Sequence, residues 1–372
     1  MFITKNHLKP GMILAKDLCL YDNNFKMFLL AKGEPLNIQY INKMLIYNIE
    51  GAFIVSDSFS DLDYEYGINK KLESKAITEI KRVYSELHEN KGVLDDSSIH
   101  GFSSVVDELI TEISVKKELT NDILYFRNHD EYTFQHCLSV ANLSISTGLY
   151  MGLDKPMLHD LGMAAFLHDI GKAQIPLEIL NKPGKLTHDE FEIMKGHPTN
   201  AVNMLKNLVS DEIRDGILSH HEKLDGTGYP NGKSGKDIPF YSKILALCDV
   251  YHALSSTRPY RKACFPNEVI EYIMGCADTH FDYDILNLFL KNVVAFPVGS
   301  FVKLSNGMMG FVIKNNKENN LRPIVRTIDS DNTVIEDINL YKNYLNATIV
   351  EMGQGPDDID FKSILKESSS SK

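Results

Sequence analysis

The segment Leu161–Lys172 reads LGMAAFLHDIGK and gives the strongest indication of the fold. Its apolar residues recur at helical spacing, which predicts a helix with one face in a core. The helix is expected to end at His168-Asp169, just before Gly171. An imidazole and a carboxylate therefore lie side by side at a helix end. Such a pair is either a polar helix terminus or part of a metal site.

Lys172 comes three residues after Asp169, which is close to one helical turn. Its ammonium group is expected either to face the same cavity as Asp169 or to be solvated. In the first case it could neutralise a phosphate or assist a leaving oxygen. The segment thus offers candidate metal ligands and a candidate cation beside them.

More histidines follow downstream, with His197 before a proline and the pair His220-His221 inside ILSHHEKLDGTGYP. Two adjacent histidines on a helix point about 100° apart. This arrangement suits two neighbouring metals, or one metal and a supporting role, better than one tetrahedral ion. The pair therefore favours a centre with more than one ion.

Two further candidates lie on helical or apolar segments: His136 in the run Thr133–Leu149, and Asp249 directly after the apolar stretch Ile244–Cys248. The combined set contains only nitrogen and oxygen donors, namely His136, His168, Asp169, His197, His220, His221 and Asp249. Such a mixture suits iron, manganese or another first-row ion, and a carboxylate can bridge two ions. Two adjacent ions favour the cleavage of a phosphate ester.

A turn-rich loop and a pair of arginines complete the candidate site. The loop Asp225–Pro230 reads DGTGYP and is expected to form one wall of the cavity. Its Tyr229 either contacts a phosphate or a base or packs in the protein. Arg258 and Arg261, in RPYR, could bind phosphate in a bidentate manner and stack on purines.

The composition narrows the class of protein. The 372 residues carry a net charge of −11, which disfavours a broad nucleic-acid-binding surface because such surfaces neutralise many phosphates. The five cysteines show no Cys-x-x-Cys pair, which predicts reduced and mostly buried thiols. No apolar stretch approaches the roughly 20 residues of a membrane span, and the start carries no secretion signal, so a cytoplasmic protein is expected.

Changes in hydrophobic periodicity and in the frequency of turn residues along the chain predict its division into domains. Short β-prone runs around a helix at Ile38–Ile46 indicate a small α+β domain, and strands with turns after Pro297 indicate a small antiparallel barrel or sheet. The predicted divisions are an accessory domain over 1–65, a helical linker over 66–118, a catalytic domain over 119–295, a β extension over 296–350 and a flexible tail over 351–372.

Three ordered motifs carry a family resemblance: HDIGK at His168–Lys172, HHEKLDGTGYP at His220–Pro230 and DVYHALSSTRPYRK from Asp249 to Lys262. Together they resemble the HD-GYP subgroup of the HD phosphohydrolase superfamily, over about residues 120–295. The N-terminal segment resembles the accessory domain that often precedes such modules. The expected fold class is mainly α, with an all-helical HD-GYP domain, a small α+β N-terminal domain and a small β-rich C-terminal extension.

The resemblance implies a centre of two or three metals, usually iron or manganese, that linearises cyclic di-GMP and in some members cuts on to GMP. It implies metal ligands at the seven positions given above, with Asp169 as the bridge and Lys172 facing the phosphate. Tyr229, Arg258 and Arg261 match substrate-contacting positions. Glu131, five residues before His136, is the candidate ligand of a third metal, although five residues is a poor helical register.

Other functions compatible with these motifs are a cyclic GMP-AMP phosphodiesterase and an inactive module that binds a nucleotide or a protein. A hydrolase of guanosine tetraphosphate or deoxynucleoside triphosphates is a further alternative, which the GYP loop and the two arginines disfavour. Apolar stripes at Ile77–Leu87 and Val105–Ile113 predict either a homodimer interface or an internal core.

Overall fold

The computed structural model describes residues 2–5, 8–15, 17–22, 25–46, 49, 51–55, 68–90, 92–116, 132–256, 264–316, 318–329 and 333–353. The chain forms two compact units, one of Gly67–Asn292 and one that joins Met1–Tyr66 with Val293–Lys372. The first unit is helical and the second contains the strands, so the expected fold class is confirmed. The division into five predicted domains stays a prediction.

The helical unit holds eleven α-helices among its described residues. They are α2 Lys70–Glu89, α3 Asp96–Lys116, α4 Tyr132–Tyr150, α5 Lys155–Leu167, α6 Leu177–Leu180, α7 His188–Met194, α8 His197–Met204, α9 Asp211–Leu218, α10 Phe240–Ser255, α11 Pro266–Gly275 and α12 Tyr283–Asn292. Two short 3-10 helices at Ile170–Gln174 and Gly235–Asp237 complete it.

Helix α5 is the central element of this unit. It begins where the Asp154 carboxylate accepts a hydrogen bond from the Met157 amide, which satisfies one of the free N–H groups of the first turn. The segment forms the predicted helix, and its burial extends beyond the one face expected, because every residue from Leu161 to Leu167 is buried. Helices α3, α4 and α9 all pack against it, which leaves no solvent face over this stretch.

Helices α2 and α3 pack against each other and against the central helices. Their apolar stripes are buried inside the unit, with Ile80, Val83 and Leu87 on α2 and Val105, Leu109 and Ile113 on α3. An internal core therefore accounts for the stripes. The homodimer stays a prediction, and these residues offer no surface for it.

The second unit contains nine strands and one helix in its described part. They are β1 Phe2–Thr4, β2 Leu18–Asp22, β3 Phe25–Leu30, α1 Ile38–Ile46, β4 Gly51–Phe53, β5 Phe301–Leu304, β6 Met309–Lys314, β7 Ile324–Ile328, β8 Val334–Asn339 and β9 Ile349–Gly353. β1 pairs with β4 and β2 with β3, while the last five form one antiparallel sheet in the order β8-β7-β6-β5-β9. Leu14, Leu36 and Met44 lie at the centre of the N-terminal core.

Two bulk expectations concern membranes and thiols. Among the described residues, no helix combines the length and the apolar character that crossing a bilayer requires. Among the side chains that the structure describes, four cysteines are free thiols, of which Cys137 and Cys248 are buried and Cys264 and Cys276 are half-buried. Burial raises the pKa of both Cys137 and Cys248, which keeps these thiols protonated and unreactive.

Candidate metal centre

Three of the predicted site histidines lie at or just beyond helix ends. His168 directly follows α5, His197 begins α8 shortly after the end of α7, and His220 comes two residues after α9. A helix leaves its last four carbonyls without an intrahelical N–H partner, and each histidine binds one of them. The Nδ1 atoms lie 2.7, 2.8 and 2.6 Å, respectively, from the carbonyl oxygens of Ala165, Met194 and Ile217.

These contacts fix which ring nitrogen can bind a metal. A carbonyl oxygen only accepts hydrogen bonds, so Nδ1 of each ring carries a proton, and in the neutral ring Nε2 carries a lone pair. The Nε2 atoms of His168, His197 and His220 are all buried and have no hydrogen-bond partner within the described chain. Buried acceptors without a partner are costly in a folded protein. The three lone pairs therefore fit a metal ion.

The side chains form two adjoining groups. The first contains His136, His168 and Asp169, and the second contains His197, His220 and His221. Within each group, one donor atom per residue lies within 4.8 Å of the others. The structure thus brings six of the predicted ligands together from four separate stretches of the helical unit.

Asp169 joins the two groups through its two carboxylate oxygens. Oδ2 lies 3.4 Å from His168 Nε2 and 3.5 Å from His136 Nε2, whereas Oδ1 lies 3.5 Å from His197 Nε2. Two donors bound to one ion at about 2.0–2.2 Å are about 3.0–3.5 Å apart, which matches these separations. The carboxylate is therefore placed to serve an ion on each side.

Asp249, the seventh predicted ligand, lies in the middle of α10 and reaches the same cluster. Its Oδ1 is 3.2 Å from His136 Nε2, and its Oδ2 is 4.0 Å from His221 Nδ1. The hydrogen-bonding contact with His136 outweighs the burial of Asp249 and holds the pKa of this carboxyl well below its usual range. A second ionised carboxylate thus spans the two groups.

Lys172, which is half-buried, forms an ion pair with the buried Asp169, with Nζ 2.6 Å from Oδ2. Burial alone would raise the pKa of Asp169, but its contact with His168 and the charge of Lys172 outweigh burial and hold that pKa well below its usual range. Burial opposes the charged form of Lys172 as well, yet the attraction of Asp169 and Asp249 raises its pKa. Lys172 therefore contacts the cluster as an ammonium ion, although its side chain keeps some exposure to solvent.

The second group of histidines is held in the neutral form. Burial lowers the pKa of His197 to about 4 and that of His221 to about 3. The pKa of His220 is also lowered by burial, and the neighbouring His221 adds to the effect. Neutral imidazoles are the form that coordinates metals. The group is therefore ready to bind an ion at neutral pH without releasing protons.

The prediction that His220 and His221 point about 100° apart on a helix was wrong. Helix α9 ends at Leu218, and both histidines lie in the turn that follows it. Their ring centroids are 4.0 Å apart with the planes inclined by 42°. The turn lets both rings face the same cluster, because backbone beyond a helix end is free of the helical rotation between neighbours.

The DGTGYP loop is held by a buried carboxylate. Glu222 accepts hydrogen bonds from the amides of Asn231 and Lys233, at 2.7 and 3.0 Å. Gly228 packs so closely on the backbone that a Cβ there would lie 2.4 Å from the Glu222 Cα. This packing places Tyr229 beside His221, with ring centroids 4.7 Å apart. Tyr229 therefore lies next to the metal cluster, as predicted from the motif.

Three predicted site residues fall in parts of the chain that the structure does not describe. Glu131, the candidate ligand of a third metal, is one of them. Arg258 and Arg261, the candidate substrate contacts, are the other two. Their roles stay predictions.

Two residues that the sequence did not suggest also contact the cluster. The Tyr84 hydroxyl on α2 donates to the backbone carbonyl of Asp169 at 3.2 Å, and its ring packs edge-on against Phe134 of α4. His252 on α10 places its Nδ1 2.8 Å from the Nδ1 of His136. A sequence signal exists only for His252, which lies three residues after Asp249 and so on the same face of its helix.

Comparison with protein families and known proteins gives the same location. The family model described as HD domain matches residues 118–285. The chain is 37% identical over 230 residues to a cyclic di-GMP phosphodiesterase of Pseudomonas aeruginosa. This alignment covers 61% of this chain and 55% of that protein. It is 35% identical over 166 residues to 3'3'-cGAMP-specific phosphodiesterase 1 of Vibrio cholerae, in an alignment that covers 44% of this chain and 38% of that protein. The chain thus spans about half or less of the length of these relatives.

A solved structure supports the fold. Bd1817, an HDG"Y"P protein from Bdellovibrio bacteriovorus, matches 78% of this chain and 97% of its own length with a TM-score of 0.51. The two sequences are 15% identical, so the likeness concerns the fold alone.

Proposed function

We propose that this chain is a metal-dependent phosphodiesterase acting in second-messenger signalling, because residues 118–285 match the HD domain family model and carry the HD-GYP motifs. Its proposed substrate is cyclic di-GMP, which it opens to linear pGpG and cuts further to GMP if a third ion is held. The sequence similarity to the Pseudomonas aeruginosa cyclic di-GMP phosphodiesterase supports this substrate.

The observation that carries the proposal is the division of the Asp169 carboxylate between two histidine groups. Each oxygen lies at co-ligand distance from its own group, which is the arrangement that two bridged ions require. We propose His136, His168, Asp169, His197, His220, His221 and Asp249 as the ligands of two ions, and Glu131 as a ligand of a third. Iron and manganese suit this set, because imidazole and carboxylate donors without thiolates accept both.

When bound there, divalent ions would supply Lewis acidity that polarises the phosphoryl group and acidifies an attacking water. Asp169 stays ionised beside the cluster and cannot donate a proton at neutral pH, so it holds charge rather than acting as an acid. Lys172 is cationic and can offset the negative charge that grows on the phosphoryl oxygens or on the leaving oxygen. Both residues are proposed to be catalytic, and Lys172 also to bind the substrate.

The remaining substrate contacts are proposed from Tyr229, Arg258 and Arg261. Burial raises the pKa of Tyr229, so its hydroxyl keeps its proton and can donate a hydrogen bond to a phosphate. The two arginines would add positive charge close to the site, which a chain with a net charge of −11 requires in order to hold an anionic dinucleotide.

A cyclic GMP-AMP phosphodiesterase is the second candidate function. The relative in Vibrio cholerae that carries this specificity in its name is nearly as similar over the shared region, at 35% identity. An inactive binding module is a weaker alternative, because all seven proposed ligands are present and face one cluster.

The test is anaerobic incubation of the metal-analysed full chain with cyclic di-GMP and, separately, with cyclic GMP-AMP. Linear product from the wild type, and none from a folded Asp169→Ala variant, is the expected result. Asp284→Ala is the matched control, because it removes an exposed carboxylate of α12 outside the cluster. Faster turnover of cyclic GMP-AMP than of cyclic di-GMP would make cyclic GMP-AMP the preferred substrate. No product from protein that holds two ions per chain would contradict the enzyme and leave a binding module.

A further inference from the structure

One proposed ligand, His136, differs from the others in how its ring is held. The three histidines at helix ends donate Nδ1–H to carbonyls that their helices leave free. His136 is the fifth residue of α4, where the backbone carbonyls already accept hydrogen bonds from the next turn. The Nδ1–H group of His136 therefore needs a side chain as its hydrogen-bond acceptor, where the other three histidines use a free carbonyl.

His252 on α10 occupies that place. Its Nδ1 lies 2.8 Å from His136 Nδ1, and the two side chains are among the buried polar groups of the helical unit, at 3% and 5% exposure. On its far side, His252 Nε2 lies 3.0 Å from the Ser256 hydroxyl oxygen. The three side chains thus form a line that leads away from the metal cluster.

The positions of the protons along this line follow from the needs of a metal ligand. To offer the Nε2 lone pair that faces Asp169 and Asp249, neutral His136 must carry its proton on Nδ1. It then donates to His252 Nδ1, which must accept. The His252 proton is consequently on Nε2, where the Ser256 hydroxyl accepts it. When His136 Nε2 is kept free of a proton for an ion, this arrangement satisfies all three groups.

We propose that His252 is a positioning residue that holds His136 in the tautomer and orientation of a metal ligand. The inference rests on the proposed metal-dependent function, since it assigns His136 to the ion. Partners that hold the second ring nitrogen of a ligand histidine typically change metal affinity or activity by about 10–100-fold when they are removed. His252 is expected to act on metal binding in this range, without contacting the ion.

The test is a titration of the metal-free full chain with Mn²⁺, in which the spectroscopic signal of the free ion reports binding. His252→Leu keeps a buried apolar side chain but removes the acceptor, and is expected to weaken binding of one ion by about 10–100-fold. His252→Asn places an amide oxygen near the former Nδ1 position and is expected to restore most of the affinity. His159→Leu is the matched control, because His159 hydrogen-bonds Ser103 in the same unit and lies outside the cluster.

The outcomes separate this inference from the proposed function. A wild-type chain that binds no Mn²⁺ contradicts the metal centre and, with it, the role of His252. Wild-type affinity in His252→Leu overturns the inference alone, as does equal loss in the Leu and Asn variants. If the Leu variant does not fold, the ring ¹⁵N shifts of His136 in the wild-type chain loaded with diamagnetic Zn²⁺ decide instead. A proton on Nδ1 supports the proposal, and a proton on Nε2 overturns it.

Discussion

Replacing Gly171 with alanine tests the link between local packing and the metal centre. Gly171 lies in the 3-10 helix that follows His168 and Asp169, and this helix packs against the first turn of α8, which carries His197. A Cβ at this position would lie 2.0 Å from the His197 carbonyl oxygen and 2.6 Å from the Ala201 amide nitrogen. Both neighbours are backbone atoms, so no side-chain rotation can relieve the overlap.

The size of the effect follows from these distances. Ordinary contact begins at 3.4 Å, so a gap of about 1.4 Å must open between the 3-10 helix and α8. Overpacking of this kind costs about 1–3 kcal/mol of stability, and sometimes more. The same movement separates His197 Nε2 from Asp169 Oδ1, which now lie 3.5 Å apart. A misplacement of about 1 Å in a catalytic site lowers the rate by about 100-fold.

Urea unfolding of the metal-free protein, metal content per chain and turnover of cyclic di-GMP measure the three parts of this expectation. The control is Gly275→Ala, at the exposed end of α11, where a Cβ would meet nothing within 4 Å. Its stability is expected to stay within about 0.5 kcal/mol of the wild type. A Gly171→Ala protein with the stability, metal content and turnover of the wild type would refute the reasoning.

Three further predictions concern protonation and two supporting contacts. Metal-free protein should lose stability as the pH falls from 6.5 towards 4, because His197 and His221 protonate in the unfolded chain but stay neutral when folded. The loss is at most about 1.4 kcal/mol per pH unit for each group, and unchanged urea midpoints at pH 7 and 5 would contradict it. Glu222→Gln leaves one loop amide without its acceptor, which should lower the free energy of unfolding by about 1–3 kcal/mol and speed proteolytic cleavage of the loop. A variant as resistant to the protease as the wild type would argue against this role. Tyr84→Phe removes the hydrogen bond to the Asp169 carbonyl, which should lower the free energy of unfolding by about 1 kcal/mol and weaken Mn²⁺ binding. An unaltered Mn²⁺ affinity would show that this hydrogen bond does not affect the metal ligands.

The sequence could predict the members of the cluster because their chemistry is carried by short motifs. His168, Asp169 and Lys172 lie within five residues, and the helix before them is marked by an unbroken apolar stretch. Local spacing also placed Lys172 correctly beside Asp169. Residues that act through their neighbours in the chain are therefore open to sequence reasoning.

Contacts between distant segments were not predictable in the same way. Glu222, which directly follows His220 and His221 in the turn after α9, accepts hydrogen bonds from amides 9 and 11 residues away. His252 meets His136 across 116 residues. Helical periodicity describes only neighbours within a turn or two, so it could not show which buried polar side chains meet between helices.

The hydrogen bond from Tyr84 to the Asp169 carbonyl makes α2 a direct neighbour of the bridging residue. Helix α2 is also the first helix of the unit, next in sequence to the N-terminal segment. Coupling between two such places is reciprocal. If a displacement of α2 weakens metal binding tenfold, occupancy of the centre opposes that displacement by the same factor, about 1.4 kcal/mol. The ions would then control the position of α2 in addition to taking part in catalysis.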